Sequence, residues 1–327
     1  METVIMYLLF ALGLVLIIKG GDWFVDGAAW IADASGIPKF IIGATIVSFA
    51  TTLPEMIVSS IAAAQGKLTM ACGNAIGSVT ANIALIMAIA LIAMPMVIKR
   101  KDYIVKSILM LSATAFLLIF SLDGELKLYE CAPVLIIFIV FVIENIISAK
   151  KSADENSEPR PEVNRKTLTK NIAMLTVGLA GIVGGSQLLV EYGSNIARSL
   201  GVGEAVISLT AIAIGTSLPE LVTTVTAIIK KLPSLSVGNV IGANIIDMTL
   251  ILPLSSLING GSIKGPGFIQ TARLDLPVCL IVGVIALVPA LIAGKFRRYQ
   301  GLLLLLCYGV YLTLIMLAER GALSFLL

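Results

Sequence analysis

The chain of 327 residues is 58% hydrophobic and 13% charged, with a mean hydropathy of +1.01 and a formal net charge of +3. Soluble domains run about 45–50% apolar and about 25% charged, so the soluble, disordered and fibrous classes are excluded and an integral membrane protein remains. The small charge is spread over loops and gives no support to nucleic-acid binding, and the absence of histidine removes imidazole relays and His-ligated zinc or iron.

In chain order, ten apolar segments fall near residues 3–30, 38–65, 70–98, 103–121, 128–148, 171–197, 204–229, 234–257, 274–294 and 299–319. Each is long enough for the roughly 20 residues that a crossing needs. No cleavable signal is expected, because Met1-Glu2 brings no basic residue before the first apolar run. Cys72, Cys131, Cys279 and Cys307 all sit in apolar stretches without a C-x-x-C pair and read as packing residues. The one long polar stretch, Lys150 to Lys170, is rich in Lys, Glu, Asp, Ser and Pro. The expected architecture is an all-α integral membrane protein of ten transmembrane helices. It has a first five-helix repeat over 1–148, a flexible linker over 149–170 and a second five-helix repeat over 171–327.

Basic residues on alternate loops divide sixteen against six, with Lys19 inside the first segment. The richer side includes Lys39, Lys99 to Lys101, Lys106, the linker, Lys230, Lys231 and Lys295 to Arg298; the poorer side holds Lys67, Lys127, Arg198, Lys264, Arg273 and Arg320. Cytoplasmic loops carry the excess of Lys and Arg, so the linker is expected inside the cell and both termini outside.

The halves are related by an offset of 165. It maps Thr51 onto Thr216, Leu53-Pro54-Glu55 onto Leu218-Pro219-Glu220, Gly73-Asn74 onto Gly238-Asn239, and Asn82 onto Asp247. Shared Pro, Glu and Asn at one offset mark a duplication. With five crossings per copy, the second copy enters the membrane inverted, which is the architecture of secondary transporters.

The chemistry lies in the second and third segments of each half. Pro54 and Pro219 lack an amide hydrogen, so a kink or break is expected there, and the carbonyls of Ala50 and Gly215 lose their partners. Ser48, Thr52, Glu55 and Ser59 follow at helical spacings and form one oxygen-bearing stripe, with Thr51 beside them; Ala213, Ser217, Glu220 and Thr224, with Thr216, are the second copy. Asn74, Ser78 and Asn82 share a face of the third segment, as Asn239, Ala243 and Asp247 do of the eighth. Gly73 with Gly77, and Gly238 with Gly242, make G-x-x-x-G pairs suited to close helix approach.

Proline kinks and small-residue pairs often serve packing alone, and membrane Ser and Thr commonly bond their own i−4 carbonyls. Carboxylates at mid-span are different: Glu55, Glu220 and Asp247 carry a cost of several kcal/mol unless paired or solvated, and no basic residue lies mid-span to pair with them. They require protons or metal ions, and carboxylates, hydroxyls, amides and freed carbonyls are the hard oxygen ligands that Ca²⁺ takes, about 6–8 at a time. Asp22, Asp26 and Glu191 are expected to face a vestibule or an interface, and Glu144 with Asn145 to cap a solvated helix end.

GATIVSFATTLPE with GNAIGSVTANIALI, and LTAIAIGTSLPE with GNVIGANIIDMTLI, resemble the paired alpha repeats of the sodium/calcium exchangers, most of all the prokaryotic members of the calcium/cation antiporter superfamily. The resemblance spans nearly the whole chain. It implies a plasma-membrane antiporter in which Glu55 and Glu220 bind Ca²⁺, completed by the carbonyls of Thr51 and Thr216. Sodium sites would use Ser48, Thr52, Glu55 and Ser78 on one side, and Ala213, Thr216, Ser217, Glu220 and the position of Ala243 on the other, with Asn82 and Asp247 between them. Three departures stand out: A-T-T-L-P-E replaces G-T-S-L-P-E in the first motif, Ser48 stands where the family has Ala, and Ala243 where it has Ser.

The expected function is alternating-access exchange of Na⁺ for Ca²⁺, with extrusion of Ca²⁺, no cofactor, no enzymatic activity, and the two ions and the bilayer as partners. Calcium/proton exchange or a potassium-dependent sodium/calcium exchange is the alternative. An intramembrane aspartyl protease would need two buried Asp, a lipid-pyrophosphate phosphatase a basic phosphate-binding group, and a channel would show flux without a counter-ion.

Overall fold

Apolar runs can satisfy their backbone N–H and C=O groups within hydrocarbon only by forming helices or closed barrels, and these runs form helices. The computed structural model describes residues 2–155, 161, 163–200 and 215–319. In chain order the helices are α1 (Glu2–Ser35), α2 (Lys39–Ala64), α3 (Met70–Ala93), α4 (Arg100–Phe120), α5 (Cys131–Glu155), α6 (Arg165–Ser199), α7 (Leu218–Ile229), α8 (Pro233–Ile258), α9 (Phe268–Ala293) and α10 (Arg298–Glu319). All but α7 belong to the nine spans, among the described residues, that are long and apolar enough to cross a membrane; α7 is apolar but has 12 residues. The first half of the expected seventh segment, including Ala213, lies outside the described residues.

α3 and α8 are the most enclosed spans, and α1, α6 and α10 are among the least. The core fills the space around the enclosed pair with Ile76, Ile83, Met87, Val240, Ile245 and Met248. α1 lies along α6 through glycines: a Cβ on Gly178 would fall 2.5 Å from the backbone nitrogen of Phe24, so only glycine permits this approach.

Two short antiparallel pairings lace the loops. β1 (Glu125–Lys127), between α4 and α5, pairs with β2 (Ser262–Lys264), between α8 and α9, with Leu126 opposite Ile263. Val97, between α3 and α4, forms a bridge with Lys295, between α9 and α10.

Three features differ from the sequence expectation. α5 runs on to Glu155 and α6 begins at Arg165, so both ends of the stretch expected to be a flexible linker are helical. Lys, Ala, Glu and Arg there are good helix formers, and Asn164 caps α6: its side chain accepts from the N–H of Thr167 at 2.9 Å, while Thr167 Oγ1 accepts from the N–H of Asn164 at 3.0 Å.

Glu144 does not cap a solvated helix end. Its carboxylate accepts a hydrogen bond from Lys106 Nζ at 2.5 Å and another from Ser148 Oγ at 2.6 Å. Lys106, counted with the cytoplasmic basic residues, is wholly buried and also stands 5.5 Å over the Phe40 ring. A buried ammonium needs a carboxylate, and Glu144 supplies it.

The third difference is in the helices themselves. One π-helical turn interrupts each of α2 (Gly43–Val47), α3 (Asn82–Met87), α8 (Asp247–Ile251) and α9 (Thr271–Asp275). Those in α3 and α8 begin at Asn82 and Asp247, the two residues that the internal offset pairs.

Candidate cation-binding site

α2 delivers Ser48, Thr51, Thr52, Glu55 and Ser59, all buried. The helix runs on through Pro54 without interruption, contrary to a break there: one lost backbone bond is tolerated when neighbouring helices enclose the segment. The second copy behaves differently. Thr216 and Ser217 form a turn, α7 begins at Leu218, and Pro219 occupies its first turn, where a missing amide hydrogen costs nothing.

α8 crosses α2 at close range. A Cβ on Gly242 would meet the carbonyl oxygen of Ala44 and the hydroxyl of Ser48, each at 2.6 Å. The G-x-x-x-G pair of α8 thus serves helix approach. That of α3 does not do so among the described residues, where a Cβ on Gly73 or Gly77 would meet nothing within 4 Å.

Hydrogen bonds stitch the two halves together. Thr51 Oγ1 donates to Asn239 Oδ1 at 3.2 Å, the hydroxyls of Ser78 and Thr216 lie 3.3 Å apart, and Asn82 Nδ2 donates to Asn244 Oδ1 at 3.1 Å. Within each half, Asn74 Nδ2 donates to Ser59 Oγ at 2.9 Å and to the carbonyl of Glu55 at 3.3 Å, and Asn239 Nδ2 donates to Thr223 Oγ1 at 3.0 Å.

Glu55, Glu220 and Asp247 are 1%, 0% and 1% exposed. Among the described residues, both carboxylate oxygens of Glu55 and of Glu220 have no hydrogen-bond partner, nor do Asp247 Oδ1, Asn82 Oδ1, or the hydroxyls of Thr52, Ser217 and Thr224. Buried polar atoms are otherwise almost always paired, and an unpaired buried carboxylate is among the costliest groups a protein can hold. The described residues contain no group of three or more acidic, Cys or His side chains clustered as a chelating metal site. The donor set is a cage of carboxylates, hydroxyls and amides, the oxygen ligands that a hard cation takes.

A cavity of about 330 Å³ adjoins the cage. Pro54 and Asn74 from the first half and Thr216 and Pro219 from the second line one wall, and Gln187 and Glu191 of α6 the other. Glu191 thus lines this cavity. Asp22 and Asp26 lie at an interface instead: Lys230 is 3.5 Å from Asp22 and 2.7 Å from Asp26, tying α1 to the end of α7.

A sequence profile of the family described as sodium/calcium exchanger protein matches residues 5–146 and 170–317. The chain belongs to the sodium/calcium exchanger family. Within that family it is 30% identical to the sodium/calcium exchanger MaX1 of Methanosarcina acetivorans, over 94% of this chain and 98% of that protein. It is 34% identical to the putative antiporter CaxA of Alkalimonas amylolytica, over 91% and 95% of the two chains. The solved structure of the sodium-calcium exchanger NCX_Mj soaked with 2.5 mM Na⁺ and 10 mM Sr²⁺ superposes with a TM-score of 0.81 at 28% identity, covering 95% of this chain and 99% of that one. The chain is thus a multi-pass membrane protein of the exchanger class.

Of the site residues expected from the sequence, Thr51 and Asn82 bond to α8 and Ser78 meets Thr216, while Ala213 lies outside the described residues. One buried carboxylate escaped the sequence analysis. Asp275, at the end of the π-turn in α9, accepts a hydrogen bond from Tyr311 of α10 at 3.0 Å. Placing the ninth segment at 274–294 put Asp275 at its edge, beside Arg273, where a solvated acid is unremarkable; the π-turn carries it inside.

Proposed function

We propose that the protein exchanges Na⁺ for Ca²⁺ by alternating access, extruding Ca²⁺ across the plasma membrane. The observation that carries this reading is the burial of Glu55 and Glu220, one from each half, with four carboxylate oxygens that have no partner among the described residues. Ca²⁺ bridges these carboxylates and takes the carbonyls of Thr51 and Thr216. Na⁺ takes two half-sites: Ser48, Thr52, Glu55 and Ser78 on one side, and Ala213, Thr216, Ser217 and Glu220 on the other. Asn82 and Asp247 lie between them. Because the two ions share Glu55 and Glu220, binding of one weakens binding of the other, and linkage makes the effect reciprocal. The Glu191 cavity is the route by which ions reach the cage.

The architecture that goes with this function is ten transmembrane helices in two inverted five-helix repeats, 1–148 and 171–327. The loop pairings support it: the loop after α3 meets the loop after α9, and the loop after α4 meets the loop after α8, so one pairing recurs with the halves exchanged. Each pairing also joins loops on the same side by the count of basic residues, with both termini outside and the segment 149–170 in the cytoplasm. A cysteine at Ser152, in a background without the native cysteines, resists impermeant thiol reagents in intact cells if that orientation is right.

The deciding experiment is Ca²⁺ uptake into vesicles containing the purified protein, with Na⁺, K⁺ and H⁺ gradients imposed separately. Uptake driven by outward Na⁺ alone is the expected result. Uptake driven by a proton gradient and indifferent to Na⁺ overturns it in favour of calcium/proton exchange.

A further inference from the structure

We propose that Lys230, ion-paired with Asp22 and Asp26, is a one-sided latch: it holds α7 against α1 at the end away from the Glu191 cavity, and its counterpart position at the cavity end carries no charge. The proposal rests on the alternating access put forward above and deepens it by saying which end state the ion-free protein favours.

The internal offset carries the cavity lining onto a packed contact. Met70, Gln187, Val190 and Glu191 line the cavity, and their counterparts are Leu235, Asp22, Val25 and Asp26. Val25 and Leu235 are buried with Phe24 and Ala227 in one apolar cluster. α1 lies so close to α7 there that a Cβ on Gly21 would fall 2.8 Å from Thr226 Oγ1 and 2.9 Å from Val222 Cγ1. Equivalent faces of the two halves thus stand apart at one end and press together at the other.

The polar seam over the packed end is Lys230, 2.7 Å from Asp26 and 3.5 Å from Asp22. The two carboxylates sit four residues apart on α1, where like charges repel, and the shared ammonium offsets that repulsion. A state open at this end parts α1 from α7, breaks the pair and leaves the two carboxylates facing each other. At the cavity end the counterparts of Lys230 and Asp22 are Gln65 and Gln187, with Glu191 in place of Asp26. Lys67 lies past the positive-φ turn at Gly66 and outside this register. Closing the cavity therefore brings no ammonium to Glu191 from the position that Lys230 holds in the other half. An interaction made in one of two states shifts their populations by that difference. The ion-free protein accordingly rests with the cavity end open and the Lys230 end shut.

The test is the alkylation rate of single cysteines in the purified full-length protein in detergent, without the four native cysteines and with an inert organic cation in place of Na⁺ and Ca²⁺. Val25→Cys reports on the Lys230 end and Val190→Cys, its counterpart, on the cavity end; Ala227→Cys takes the place of Val25→Cys if that variant does not fold. Val190→Cys is expected to react faster than Val25→Cys. Lys230→Gln should speed the reaction at Val25→Cys by about two- to fivefold, the range open to a partly exposed ion pair. Lys230→Glu should speed it further, and Lys230→Glu with Asp26→Lys should slow it again. Gln65→Lys with Gln187→Asp builds the same latch at the cavity end, and should speed Val25→Cys and slow Val190→Cys. An unchanged rate in Lys230→Gln overturns the inference. So does a charge exchange that reacts as fast as Lys230→Glu alone, because packing and not the pair would then hold this end shut. If Val25→Cys reacts in no variant, with or without Na⁺ and Ca²⁺, α1 and α7 never part and alternating access falls together with the latch. If its rate responds to the ions but not to Lys230→Gln, the latch alone falls.

Discussion

Thr51 of α2 donates a hydrogen bond to Asn239 of α8, 188 residues away, and Asn239 in turn donates to Thr223 of α7. One amide thus holds the two motif helices to a common partner. Asn239→Ala would remove this amide from both threonines, which keep their bonds to the carbonyls of Ser48 and Pro219, so the loss is that of two hydrogen bonds at about 0.5–1.5 kcal/mol each. A lower thermal midpoint in detergent, with weakened Ca²⁺ binding, is expected. A variant with full stability and normal binding would mean that the bond positions nothing.

Glu55→Gln and Glu220→Gln are each expected to abolish Ca²⁺ exchange while the protein still inserts and folds, with ion-free thermal stability equal to or above that of the unmodified protein. Each change removes a buried charge with no partner among the described residues, and desolvation opposes that charge in the first place. If the carboxylates were structural, the reverse would be found: aggregated protein, and normal specific activity in whatever survived.

The Lys106–Glu144 pair obeys the opposite logic. Removing one member strands the other charge in the interior, at a cost of about 3–5 kcal/mol, whereas replacing both by apolar side chains is close to neutral. Lys106→Met should therefore be strongly destabilising, and Lys106→Met with Glu144→Leu should recover most of the loss, as read by thermal unfolding in detergent. Equal destabilisation by the single and double changes would mean that the two charges do not depend on each other.

Outside the spans, the turn before β1 is expected to respond to pH. The N–H of Glu125 and the ammonium of Lys127 both donate to the Asp123 carboxylate, each at 3.0 Å, and hold its pKa below the usual value; the same contact raises the pKa of Lys127. A lowered carboxylate pKa gives stabilisation that is present above the ordinary value and lost as pH falls through the lowered one. A raised lysine pKa gives stabilisation that is complete below the ordinary value and lost as pH rises through the raised one. The hydrogen-exchange protection factor of the Glu125 amide should therefore hold across the neutral range and drop at the acid end, and Asp123→Asn should remove the acid step.

Much of the site was legible because duplication writes it twice. Glu55 and Glu220 recur at one offset beside proline, and a mid-span carboxylate has few explanations. The π-turns at Asn82 and Asp247 were not legible: an extra residue in a helical turn leaves apolar periodicity almost unchanged over a segment hydrophobic on every side. Lys106 was misjudged because its distance from Glu144, 38 residues, puts the partner on another helix, and a lysine near a helix end ordinarily snorkels to water. The helical ends of the stretch 149–170 were hidden by its polarity, since charged residues that form good helices look like linker when only hydropathy is followed.

The lacing of the halves bears on how such a chain can be made. β1 is hydrogen-bonded to β2, the residues flanking Val97 to those flanking Lys295, and Thr51 and Asn82 to residues on α8. All four of the earlier partners emerge from the ribosome well over a hundred residues before the later ones. During that interval a polar stripe bearing Glu55 must wait in the bilayer without its native neighbours. Biogenesis therefore has an exposed phase whose duration is set by translation rather than by folding, and the insertion machinery has to shelter the first half until α8 arrives.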